Sequence, residues 1–163
     1  MTTLSNVLWG ALALGLVTGM RSTLAPTMTS RALAARDDID EANEPARTLA
    51  SHRMQQFIVP MAVGELVGDK MPFAPDRTIL PSMMFRALSG GVTAAALASA
   101  QRQPIWLPAV VGATAALVAS KIGLDLRKPY QANPYVNAAL GLTEDCVALA
   151  IGNAGLRRAL DGH

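Results

Sequence analysis

FIVPMAVGELVGDK, Phe57 to Lys70, begins as a lipid-buried helix and ends in charge. Phe57 to Val63 is apolar, yet Glu65, Asp69 and Lys70 follow at once. A charged side chain at the bilayer centre costs at least ~2.5 kcal/mol on insertion scales, so each one asks for a partner, a water-filled cavity or a function. Glu65 and Asp69 are four residues apart and on a helix would share a face. Gly64 and Gly68 allow another backbone to approach, and Pro72 and Pro75 stop the helix soon afterwards. The expectation is a short span ending inside the protein, with both acids turned to the bundle and one of them within reach of Arg86.

The composition agrees with a membrane setting. The chain has 163 residues, of which 51% are hydrophobic and only 4% aromatic, and its mean hydropathy is +0.29. Its apolar mass is Ala, Leu, Val, Met and Gly, residues that suit close helix packing in lipid. Five hydrophobic stretches stand out, roughly Leu4 to Met20, Met54 to Val67, Ile79 to Ala100, Ile105 to Ile122 and Tyr135 to Leu156. At 1.5 Å per residue the longer ones match ~30 Å of hydrocarbon. The fold class is therefore an all-α integral membrane protein with about five transmembrane helices in a single domain, 1–163. Pro26 should kink or end a continuation of the first span toward Ala35. Residues 36–53, polar and without a helical stripe, read as a solvent loop. MTTLSNVLW has no positive n-region, which favours a retained first helix over a secretory signal.

Lys and Arg asymmetry points to an orientation with the N-terminus outside and the C-terminus inside. The inner segments then hold Arg31, Arg36, Arg47, Arg53, Arg102, Arg157 and Arg158, against Lys70, Arg77, Arg127 and Lys128 outside. Trp9, Trp106, Tyr130 and Tyr135 fall near span ends, as an interfacial belt requires. LVTGMRS (16–22) faintly echoes LVASKIG (117–123), and GELVGDK echoes TEDCVAL (143–149), matching Glu65 to Glu144. Spans one and two would then recur, inverted, as four and five, with a site at their interface.

Glu144 lies about 13 Å along its helix from Tyr135, near mid-depth. If the repeat holds, Glu65, Asp69 and Glu144 converge, and they are the metal-ligand candidates for a hard cation or a proton-exchanging set. No organic cofactor is implied; the bound species is a cation or a proton. Arg86 and Arg21 would compensate the charge. Asp145, about 100° round the helix from Glu144, should meet a different neighbour. Lys70, Lys121 and Asp125 complete the charged set, near enough to span ends to snorkel. The competing view is that these groups simply pair and hold helices in register. Gly90, Gly91 and TAAALASA offer small faces for helix contact. Cys146 reads as a small core residue and His52 as a loop residue.

Several classes are excluded. A net charge of +2 without a basic run interleaved with aromatics argues against nucleic acid. One cysteine forbids an internal disulfide, and two histidines, His52 and His163, leave no hydrolytic triad or zinc spacing.

GLVTGMRSTLAP, GELVGDKMPFAPDRTILPSMMFRALSGGVTAAA and GLTEDCVALAIG together resemble the bacterial membrane family catalogued as domain of unknown function 4126. The resemblance covers nearly the whole chain and adds Ser22 beside Arg21, with Gly19 and Pro26. It also carries Glu65, Asp69, Lys70, Pro72, Pro75, Arg77, Thr78, Arg86, Glu144, Asp145 and Ala148. GELVGDKM is also similar to the Glu-x-Gly-Asp-Lys/Arg-Ser/Thr motif of small cation/proton exchangers, but has an extra residue before Gly68 and Met71 in place of the hydroxyl. The leading expectation is a transporter or channel-like protein. A scaffold that binds lipid, a partner or a second copy is the alternative. A third is a lipid head-group enzyme holding phosphate with Arg21, Lys70, Arg77 and Arg86.

Overall fold

A computed structural model describes residues 3–68, 80–127, 129 and 134–161. Among them the chain is all-helical: α1 (Leu4–Met20), α2 (Leu24–Ala34), α3 (Ala46–Ala50), α4 (His52–Gly68), α5 (Leu80–Ala100), α6 (Trp106–Arg127) and α7 (Pro134–Leu160), with a 3-10 turn at Ile39–Glu41. Asp69 and Lys70, with Arg77 and the prolines at 72 and 75, lie outside the described residues.

Large apolar side chains stand on the surface as well as in the core. Leu80, Leu88, Val110, Leu126 and Trp106 stand exposed, whereas Arg21 and Arg86 are only 2% and 5% accessible. Apolar surface of this extent marks contact with lipid or with a partner. Leu80–Ala100 and Trp106–Leu126 are each long and apolar enough to cross a membrane.

Small residues set the spacing inside. A Cβ placed on Gly15 would stand 2.5 Å from the Gly112 carbonyl oxygen, and one on Gly112 would stand 2.5 Å from that of Gly90. Gly155 and Gly10 play the same part between α7 and α1. Backbones this close have no room for a side chain, which is why α1, α5 and α6 meet at glycine and alanine.

These contacts also fix direction. Gly15 meets Gly112 and Gly19 meets Ala116 and Ser120, so α1 and α6 run parallel. Val17 and Met28 both meet Gly152, so α2 runs back alongside α1. Arg158 at the end of α7 bonds Asn6 and lies over Trp9. The beginning of α1 and the ends of α2 and α7 therefore share one end of the bundle.

This corrects two expectations. The first apolar stretch is not followed by a long connection: the chain reverses at Arg21–Thr23, and the start of α1 and the end of α7 lie at one end of the bundle rather than at opposite ends. The inverted relation between spans one and four is absent too, because α1 and α6 point the same way. Pro26 does not end a helix but sits in the first turn of α2, where its missing N–H is no loss.

Residues 36–53 are not wholly solvent loop. Ala46 and Leu49 are buried with Leu33 and Ala96. Ser99 Oγ donates to the carbonyl oxygens of Asn43 (2.6 Å) and Glu44 (3.0 Å), and Ser30 Oγ to that of Leu49 (2.6 Å). The charged face of the segment stays outside as a cap over the bundle end. Cys146 is exposed rather than in the core.

Candidate functional site

The reversal at Arg21–Thr23 breaks the helical ladder, leaving the last carbonyls of α1 and the first amides of α2 without helical partners. Arg86 enters from α5, and its Nη1 donates to the carbonyl oxygens of Gly19 (2.7 Å) and Thr18 (3.2 Å). Ser120 from α6 adds a bond to Gly19, and Ser89 from α5 donates to the Ser22 carbonyl at 2.7 Å.

The amide side is met by a carboxylate. Glu65 Oε1 accepts from the Ser22 amide and hydroxyl, both at 2.8 Å, and Oε2 from the Thr23 amide (2.9 Å) and hydroxyl (2.6 Å). Arg86 Nη2 stands 3.8 Å from Glu65 Oε1. A cation thus faces the negative end of α1 and an anion the positive end of α2, each favoured by the local dipole. Asp145 on α7 closes the set, its Oδ1 2.6 Å from Arg21 Nε. Four helices converge on one three-residue turn.

The turn lies deep. Arg86 is six residues from the start of α5 and Asp145 eleven from that of α7, or about 9 and 16 Å along the two helices. Non-helical backbone at such depth survives in a membrane only where protein or a water-filled cavity surrounds it.

Of the residues expected to act together, Glu65, Arg86, Arg21, Ser22 and Asp145 are gathered here. Glu144 is not at the Ser22–Thr23 cradle. It lines an apolar crevice of about 330 Å³ with Leu16, Met20, Ile122, Leu126 and Leu140, and the acid that meets the hairpin is its neighbour Asp145. Lys121 and Asp125 are exposed on the far end of α6. Among the described residues no group of three His, Cys, Asp or Glu side chains could hold a metal ion. Thr23, Ser89 and Ser120 were not foreseen. Thr23 had a local signal, since a hydroxyl residue followed by Pro in the next turn is a helix start; Ser89 and Ser120 had none.

No family model, curated protein or solved structure matches the chain.

Proposed function

We propose that this chain is a small multi-pass protein of the bacterial inner membrane, transporter-like or channel-like, whose working site is the α1–α2 reversal. The observation that carries this is the break itself: a helix interrupted at depth, with an ion pair from other helices on its two half-dipoles. Broken helices of this kind form ion and solute sites in transporters. α1 and α2 form a re-entrant hairpin, and α4 to α7 make four crossings. The arginine-rich end, which holds both termini, faces the cytoplasm by the charge rule. Membership of the family catalogued as domain of unknown function 4126 is part of this proposal and rests on the motifs around Arg21, Glu65, Arg86 and Glu144.

The coupling chemistry resides in Glu65. Its two oxygens receive four donors. A proton added to one oxygen makes it a donor facing donors, so that half of the cradle must open. A monovalent cation at the carboxylate acts similarly by taking lone pairs from Ser22 or Thr23. Either event weakens the hold of α4 on the hairpin and loosens the Glu65–Arg86 contact.

The test is decay of an imposed proton or alkali-cation gradient in proteoliposomes. The wild-type protein should dissipate it faster than empty vesicles, and Glu65→Gln, whose amide sets a donor against the same donors, should return to background while still inserting as a folded helical protein. Equal rates in protein-free and wild-type vesicles, or full activity in the Gln variant, would sink the reading.

A scaffold is the second reading, favoured by the short Arg21–Asp145 contact and by the complete set of donors on Glu65. Under it the gradient is never dissipated, and Glu65→Gln instead lowers stability. The head-group enzyme is disfavoured because Arg21 and Arg86 are already engaged by Asp145, Glu65 and backbone carbonyls.

A further inference from the structure

At the end of the bundle that holds both termini, α2 and α7 part to leave a groove of about 620 Å³. Met28, Leu149 and Leu156 line it together with Arg31, Arg36 and Arg157. Arg36 is committed: its Nε and Nη2 donate to the two carboxylate oxygens of Asp38 at 2.8 and 2.7 Å. Arg31 and Arg157 have no hydrogen-bond or carboxylate partner among the described residues. Both sit in the last turn of their helices.

The height of the groove is marked independently. Trp9 lies under Arg158, 5.4 Å from ring centroid to guanidinium, and Trp106 opens α6 with 78% of its surface exposed. Both tryptophans belong to this same end, and indole rings concentrate at the level of lipid headgroups. Two uncommitted guanidiniums therefore meet an apolar trough at the depth where a bilayer presents its phosphates.

We infer that the groove is a binding site for an anionic phospholipid. The phosphate is held between Arg31 and Arg157, whose planar forks match its oxygens, and one acyl chain lies along Met28, Leu149 and Leu156. A free phosphate would leave that apolar wall uncovered, and a choline headgroup would bring its ammonium against the arginines. Asp161, also on the groove, accepts a hydrogen bond from a headgroup hydroxyl, which suits phosphatidylglycerol. The inference rests on membrane embedding but not on transport.

Native mass spectrometry of the full chain in detergent tests it, with phosphatidylglycerol and phosphatidylcholine of matched chains offered at equal concentration. The wild-type protein should retain phosphatidylglycerol preferentially, and Arg31→Ala/Arg157→Ala should lose about thirtyfold in that preference, the worth of two basic side chains at a lipid surface. Arg31→Lys/Arg157→Lys should keep most of it. Equal retention of both lipids by the wild type overturns the proposal without any variant. So does undiminished preference in the double alanine variant, or protection of the wild type from thermal unfolding by millimolar inorganic phosphate as strong as that by phosphatidylglycerol. Protein that stays soluble without detergent would refute the membrane embedding itself.

Discussion

Gly112→Ala should destabilise the bundle although alanine is the better helix former. The added Cβ would stand 2.5 Å from the Gly90 carbonyl oxygen and 2.6 Å from the Ala94 Cβ. Ordinary contact needs about 1 Å more, so α6 must move off α5, and it cannot retreat freely because Gly15 of α1 holds it from the other side. Taking ~40 atom pairs across the contact at ~0.15 kcal/mol each, a gap of this size forfeits a quarter to a half, about 1.5–3 kcal/mol. Propensity returns up to ~1 kcal/mol, leaving a net loss of about 0.5–2 kcal/mol. The matched control is Gly64→Ala, where a Cβ would have nothing within 4 Å and the propensity gain of up to ~1 kcal/mol stands alone. Thermal unfolding in one detergent, read by circular dichroism, compares the two. If Gly112→Ala unfolds at or above the wild-type temperature, the close backbone contact does not hold the helices together and the packing argument fails.

Arg21→Met should cost about 3–5 kcal/mol by stranding Asp145, and adding Asp145→Leu should recover much of it; a double variant no better than the single would show that the pair is not coupled. Reporter fusions at the N- and C-termini should give the same sidedness, and opposite signals would restore the five-crossing arrangement. Glu44 is held below the ordinary glutamate range by the Thr48 hydroxyl, then by the Thr48 amide. The order it gives to α3 is therefore present above about pH 4.3, the ordinary value, and is lost as pH falls below it. The protection factor of the Thr48 amide, its exchange rate relative to the intrinsic rate at the same pH, should fall on acidification, and an unchanged protection factor between pH 6 and 3 would contradict the cap.

Hydropathy made the long helices legible: Leu4 to Met20 is α1 and Ile79 to Ala100 covers α5, while Ile105 to Ile122 and Tyr135 to Leu156 stop five and four residues short of the ends of α6 and α7, where charged residues follow. Apolar runs report depth, however, and not direction. Whether Met20 leads out of the bilayer or back into it depends on partners for the Thr18 and Gly19 carbonyls and the Ser22 and Thr23 amides. Those partners are 42 to 101 residues away in Glu65, Arg86, Ser89 and Ser120. The pairing of Glu65 with Arg86 was readable because an acid beside glycines needs a base. The choice of Asp145 over Glu144 was not, since it turns on 100° of helix rotation that a helix with apolar residues all round does not determine.

The distances along the chain between the hairpin and its partners also impose an order in time. Arg21 to Thr23 is made first, but the acid that meets its amides lies on α4, the base that meets its carbonyls on α5, and the counter-charge of Arg21 on α7. Until those helices arrive, the turn cannot rest in hydrocarbon, where each unmet backbone group costs several kcal/mol. The hairpin, made before its partners, is thus completed only when α7 arrives. A chain halted before α7 lacks Asp145, and with it the carboxylate that stands 2.6 Å from Arg21 Nε.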